Sequence, residues 1–94
     1  MMWHFYLLIC SDNTIYSGIS TDLLARLASH NQGKGAKYTR TRRPVRLAYF
    51  ETLGTKSEAL KREIEVKNFS REDKLQLIKH GLGQRLPLEK LRNL

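Results

Sequence analysis

Residues 5 to 10, FYLLIC, are apolar without a break, the pattern of a strand buried on both faces. SDNT, residues 11 to 14, is a cluster of turn formers. IYSG, residues 15 to 18, reads as a second strand, so the pair predicts a hairpin. Leu23, Leu24, Leu27 and Ala28 then recur at helical spacing. They predict a helix that Thr21 or Asp22 caps, running to about His30 and ended by Asn31 and Gly33. After Pro44 comes a third strand, VRLAYFET, residues 45 to 52, with Val45, Leu47 and Tyr49 alternating against Arg46, Ala48 and Phe50. Thr55-Lys56-Ser57-Glu58 fits a capping box opening a helix to about Asn68. Ser70 to Asp73 opens another to about His80, closed by Gly81 and Gly83.

The predicted order is β-β-α-β-α-α. That has too few strands for a doubly wound sheet. It fits an α+β domain, a small three-stranded antiparallel sheet flanked by helices. The domain is expected over residues 1 to 82. Residues 83 to 94 read as a C-terminal tail with room for a short helix after Pro87.

Charge changes the picture more than length does. The chain of 94 residues carries 17 Lys and Arg against 9 Asp and Glu, a formal charge of +8. An anionic partner is implied, most simply nucleic acid. A membrane surface fits less well, because no segment is both strongly basic and strongly amphipathic. The apolar runs are too short to span a bilayer, and no signal peptide is visible. Cys10 stands alone, which excludes a disulfide framework and argues against cysteine-bound zinc. Within its apolar run it reads as a buried, inert thiol. A cytoplasmic location is the expectation.

Glu63 is the most informative side chain. On a helical wheel it falls near the middle of the stripe formed by Ala59, Leu60, Ile64 and Val66. A carboxylate there is costly unless it is paired or binds a metal. One reading is a Glu63–Lys67 pair at the favourable i,i+4 spacing. The other is a cation ligand or catalytic carboxylate in a cleft. Arg26 and His30 also stand four apart, beside the apolar stripe of the first helix, with Asp22 on the same flank. Taken alone, these fit a solvated face. His4 and His80 lack ligand spacing, which argues against zinc.

Between Asp22 and Glu51 the chain has no acidic residue. Lys34, Lys37, Arg40, Arg42 and Arg43 lie there in a basic loop, residues 31 to 44, with Gly33, Gly35 and Tyr38 among them. Glycines let backbone N–H groups approach phosphate, and an aromatic ring can stack on a base. The loop reads as a phosphate-backbone binder without base-specific readout.

Together these residues resemble the short, stand-alone branch of the GIY-YIG nuclease family. The motifs that carry the resemblance are HFY at residues 4 to 6 and YSG at 16 to 18. Arg26 and His30 follow on the next helix, then the GKGAKYTR loop at 33 to 40 and Glu63 in EALKRE. The resemblance covers residues 3 to about 80. Two departures stand out: His4 and Phe5 replace the first glycine and isoleucine of the name motif, and Ile19 stands where some relatives carry a lysine. Membership would imply phosphodiester hydrolysis, DNA being the favoured substrate, with one divalent ion, Mg²⁺ or Mn²⁺, on Glu63. It would also imply a water positioned by Tyr16, with Arg26 neutralising the phosphate and Tyr6 and His30 completing the site. Family nucleases usually take specificity from attached domains, so a protein partner is expected to supply it. The alternative is a basic nucleic-acid-binding module that keeps the scaffold without turnover.

A shared site constrains the hairpin. A two-residue Asp12-Asn13 turn would place Tyr16 opposite Ile9, on the far side of the sheet from Tyr6. A three-residue loop or a bulge places it opposite Cys10, on Tyr6's face, and this second arrangement is the one expected.

Overall fold

In the computed structural model, which describes residues 1–81, three strands and four helices follow one another. They are β1 (Trp3–Ile9), β2 (Ile15–Ser20), α1 (Leu23–Asn31), α2 (Lys37–Arg40), β3 (Arg46–Leu53), α3 (Lys56–Lys67) and α4 (Arg71–His80). The order matches the expected one, with a single added turn of helix, α2, inside the basic loop. Gly83 and the expected tail lie outside the described residues.

The strands form one antiparallel sheet in the order β2-β1-β3, which leaves β2 on an edge. The apolar run of β1 places it at the centre: Phe5, Tyr6, Leu7 and Leu8 are all buried. On one face Tyr6, Leu8, Cys10, Val45 and Leu47 pack with Leu27 of α1. On the other, Phe5, Leu7 and Tyr49 pack with Val66 of α3 and Leu77 of α4.

The simple alternation expected in the third strand breaks at Ala48. Leu7 pairs with Tyr49 but Leu8 pairs with Leu47, so Ala48 is the extra residue of a β-bulge. Val45 and Leu47 therefore face α1, whereas Tyr49 faces α3 and α4.

The hairpin loop is the three-residue form, Ser11 to Asn13. Asn13 N–H donates to Cys10 O at 2.9 Å, Cys10 N–H donates to Thr14 O at 2.9 Å, and Asn13 takes a left-handed φ of 66°. Tyr16 lands on Tyr6's face, as expected. Its partner, however, is Leu8 and not Cys10, a shift of two residues that preserves the face.

The helix N-caps are those anticipated, while α1 includes Asn31 and takes Gln32 as its C-cap. Asp22, Thr55 and Ser70 accept from Ala25, Glu58 and Asp73 N–H respectively, and Gly81 closes α4 with a left-handed φ of 57°. Two apolar stripes are rotated from their expected positions. In α1, Leu24 and Ala28 are exposed, while Leu27 and His30 face the core. In α3, Ala59 and Val66 are buried, but Leu60 and Ile64 are exposed. The Arg62 guanidinium, on the inner side of α3, makes a two-pronged ion pair with Glu51 of β3, Nε–Oε1 2.9 Å and Nη2–Oε2 3.0 Å. Tyr49 donates to the same carboxylate at 2.6 Å. These bonds hold Glu51 below the usual carboxylate range against the opposing effect of its burial.

Candidate active site at the sheet edge

The outer edge of β2 forms the floor of an open cleft of about 720 Å³. Tyr6, Tyr16, Arg26, Tyr38 and Glu63 line it together. They arrive from both faces of the sheet. Tyr16 packs with Tyr6 and Leu27 on the α1 face, whereas Ile15 packs on the face that carries α3. Glu63, on α3, reaches the edge from that second face, where Ser17 Oγ donates to its Oε1 at 3.3 Å. An edge strand allows this, because among the described residues no further strand separates the two faces beyond it.

Tyr6 lies across the strand beside it. It pairs with Gly18, and a Cβ on Gly18 would sit 2.5 Å from the Tyr6 hydroxyl. The missing side chain thus makes room for the phenol. His30 is not on the solvated flank that helical spacing alone suggested: it is fully buried behind Tyr6. Its Nε2 lies 2.9 Å from the Tyr6 hydroxyl and its Nδ1 lies 2.7 Å from Thr39 Oγ1. Thr39 Oγ1 donates to Ala36 O at 3.2 Å, so towards His30 it accepts. Nδ1 then carries the ring proton and Nε2 accepts from Tyr6. Burial and the nearby Arg26 charge push His30 down to about 4, so the ring is neutral near pH ~7. Burial raises Tyr6, with Arg26 opposing, so the phenol keeps its proton.

Arg26 completes the chain. Its Nε donates to the Tyr6 hydroxyl at 3.4 Å and its Nη2 to Gly35 O at 3.0 Å. Gly35 is packed on His30: a Cβ there would sit 2.4 Å from Nδ1 and 2.8 Å from the His30 Cα. Gly33 has a φ of +81° and a Cβ would meet the Arg43 guanidinium at 3.0 Å. Both glycines allow close packing in the loop, a different use from the phosphate approach that the sequence suggested.

The basic loop divides in two. Arg42 pairs with Asp12 at 3.1 Å, donates to Tyr38 O at 2.8 Å, and lies 3.9 Å from the centroid of the Tyr38 ring. Arg43 donates to Arg40 O at 2.9 Å and to Asn31 O at 3.3 Å. These two guanidiniums brace the loop. Lys34, Lys37 and Arg40 are exposed and take no part in the ion pairs among the described residues. Tyr38 stacks on Tyr16, with ring centroids 5.8 Å apart and planes at 23°.

Glu63 does not form the pair with Lys67 that its spacing permits; the ion pairs among the described residues are Arg42–Asp12, Arg62–Glu51 and Arg62–Glu65. Nor does any group of three or more His, Cys, Asp or Glu stand ready to hold a metal among the described residues. A cation here would have one protein carboxylate, with water and phosphate oxygens filling the remaining positions. That donor set suits Mg²⁺ or Mn²⁺ and suits zinc poorly. Sequence reasoning gave no role to Ser17, Thr39 and Lys74, and weighed Lys67 only as a partner for Glu63. A Ser beside Tyr16 and a Thr in the loop carry no signal until the fold brings Glu63 and His30 to them.

A tyrosine pair, an arginine and a glutamate thus gather at one sheet edge, the residues on which the resemblance to the GIY-YIG catalytic domain rests. The model of that family matches residues 2–76, and the chain belongs to it. Its curated relatives include the UPF0213 protein SH2523 of Staphylococcus haemolyticus, 56% identical over 73 residues, covering 78% of this chain and 89% of that protein. The UPF0213 protein SERP0126 of Staphylococcus epidermidis is 54% identical over 79 residues, covering 83% and 96%. Among solved structures, the solution structure of the UPF0213 protein BH0048 from Bacillus halodurans matches with a TM-score of 0.55 at 44% identity, covering 84% of each chain. That of EF2693 from E. faecalis matches with a TM-score of 0.59 at 43% identity, covering 85% of each. The three-stranded sheet and its helices are thus shared with these structures.

Proposed function

We propose that this chain hydrolyses phosphodiester bonds in nucleic acid, DNA being the first substrate to test, with one divalent ion, Mg²⁺ or Mn²⁺, held by Glu63. The observation that carries this reading is the meeting of Tyr6, Tyr16, Arg26 and Glu63 in one cleft over the edge of β2. When bound, the ion would stabilise negative charge on the scissile phosphate and the leaving oxygen.

The chain's own groups supply the rest. Tyr16 orients the water that attacks phosphorus, and the bond from phosphorus to the leaving oxygen breaks as the new one forms. Arg26 neutralises the charge that builds on the phosphate oxygens. Tyr6 donates a hydrogen bond to His30 Nε2 and accepts one from Arg26, so its role is to hold Arg26 in place. His30, buried and neutral, orients Tyr6 in turn. Lys34, Lys37 and Arg40 hold flanking phosphates, with Tyr38 beside them and Arg42 and Arg43 bracing the loop. A cytoplasmic site of action and a protein partner that selects the substrate belong to the same proposal.

The test is cleavage of a panel of structured DNA and RNA oligonucleotides with Mg²⁺, Mn²⁺ or EDTA. Cation-dependent cutting that Glu63→Gln abolishes, with the fold intact by circular dichroism, is the expected result. Salt-sensitive binding without cutting under either metal would mean a binding module on a nuclease scaffold.

A further inference from the structure

The cleft has a second basic wall. Lys67, from the last turn of α3, and Lys74, from α4, line it with Glu63, whereas Arg26 reaches it from α1 on the other face of the sheet. Lys74 is partly buried. Neither lysine takes part in the ion pairs among the described residues, although Glu63 stands four positions before Lys67. Among the described residues the cleft lining therefore holds three cations, Arg26, Lys67 and Lys74, against one carboxylate, Glu63.

The floor adds donors. Cys10 and Thr14 are a hydrogen-bonded pair, and the alternation of an antiparallel ladder makes Leu8–Tyr16 and Tyr6–Gly18 bonded pairs as well. Ser17 and Ile19 fall between them, so their N–H groups point out of the sheet on the free edge of β2. Apolar Ile15 and Leu60 lie beside them in the lining. Cations, outward N–H groups and apolar surface suit a phosphate with its nucleoside attached.

We propose that Lys67 and Lys74 form a second phosphate subsite, which holds a phosphate of the bound strand other than the one at Arg26. The strand then crosses the sheet edge from the α1 wall to the α3/α4 wall, with Glu63 between the two phosphates. This rests on nucleic acid being the ligand of the cleft, but it does not require that the cleft cut it.

Binding to a short fluorescent oligonucleotide, single-stranded and duplex, is measured in EDTA over a range of salt for the native chain, Lys67→Ala, Lys74→Gln and the double variant. Lys61→Ala is the control of equal charge change, since Lys61 is an exposed residue of α3 outside the cleft lining. Each cleft variant is expected to weaken binding and to make the plot of log affinity against log salt shallower by about 0.7 on single strands or about 0.9 on duplex, and the double variant by about twice that. Circular dichroism confirms the fold of each. Cleft variants whose slopes match that of Lys61→Ala would overturn the subsite, while the nuclease reading would stand. Shallower slopes in a chain that never cleaves would support the subsite and remove the nuclease reading instead. No binding by the native chain would overturn both.

Discussion

The Tyr6 hydroxyl lies 2.9 Å from Nε2 of His30, and the His30 ring is fully buried with its other nitrogen on Thr39. A neutral imidazole is therefore built into the core behind the cleft. Its pKa, depressed from 6.5 to about 4, makes stability depend on pH. The unfolded chain binds this proton more readily than the folded one. His30 thus contributes its full stability above about pH 6.5 and loses it as the pH falls towards about 4. Glu51 and Asp12, both depressed from ordinary carboxylate values of 4.5 and 3.8, lose their contributions only further down. A melting temperature that declines between pH ~6.5 and ~4.5 is expected, with a flatter profile in His30→Phe. A wild-type curve that is level across that window would show that the folded state protonates His30 freely.

Gly18 is expected to tolerate no side chain. The Cβ of Gly18→Ala would lie 2.5 Å from the Tyr6 hydroxyl and 2.6 Å from its Cζ, so the ring must move. Moving it breaks the bonds to His30 and Arg26. A loss of about 1–3 kcal/mol is expected from overpacking, together with loss of any cleavage. Gly35→Ala should be worse, since one of its close contacts, at 2.8 Å, is the His30 backbone. Denaturant unfolding measures both. Gly18→Ala as stable as the native chain would mean that Tyr6 has another resting place.

These two glycines show what a sequence conceals. The strands and the caps at Asp22, Thr55 and Ser70 follow from local pattern, and the fold carries them; the shared face of Tyr6 and Tyr16 was expected only because the family resemblance implied one site, and the three-residue loop delivers it. His30 does not follow: its spacing from Arg26 suggests a solvated flank, and only a hydroxyl on each ring nitrogen makes burial acceptable. Nor does the Ala48 bulge, since VRLAYFET alternates without fault and the extra residue exists only against β1. Glu63 was legible as a misplaced carboxylate, but whether it pairs with Lys67 or faces a cleft depends on the turn of α3. That turn buries Ala59 and Val66 and brings Arg62 onto Glu51, contacts made only across the sheet.

The basic loop should split on mutation. Lys34→Ala, Lys37→Ala and Arg40→Ala are each expected to lower nucleic-acid affinity and to make its salt dependence shallower by about 0.7–0.9 in the log–log slope. Arg42→Ala removes a solvent-screened ion pair with Asp12 and the contact over Tyr38, so the global stability should hardly change. It should loosen the loop with a smaller change in slope. Equal slopes for all four variants would make Arg42 a phosphate contact like the others.

Ser17 is expected to act on cation binding through Glu63. Its hydroxyl donates to Oε1 of Glu63 at 3.3 Å, and this is the bond that ties the α3 carboxylate to the edge of the sheet. Ser17→Ala frees that carboxylate without opening the core, so stability should change by about 1 kcal/mol or less. The concentration of Mg²⁺ or Mn²⁺ needed for half-maximal cleavage should rise about tenfold, the lower end of what loss of a ligand's own hydrogen-bond partner causes. Affinity for the oligonucleotide in EDTA should stay as it was. Ser17→Thr, which keeps a hydroxyl and suits a strand, should restore the native cation requirement. An Ser17→Ala variant that weakens oligonucleotide binding in EDTA, and leaves the cation requirement unchanged, would make Ser17 a contact to the strand and not the positioning residue of Glu63.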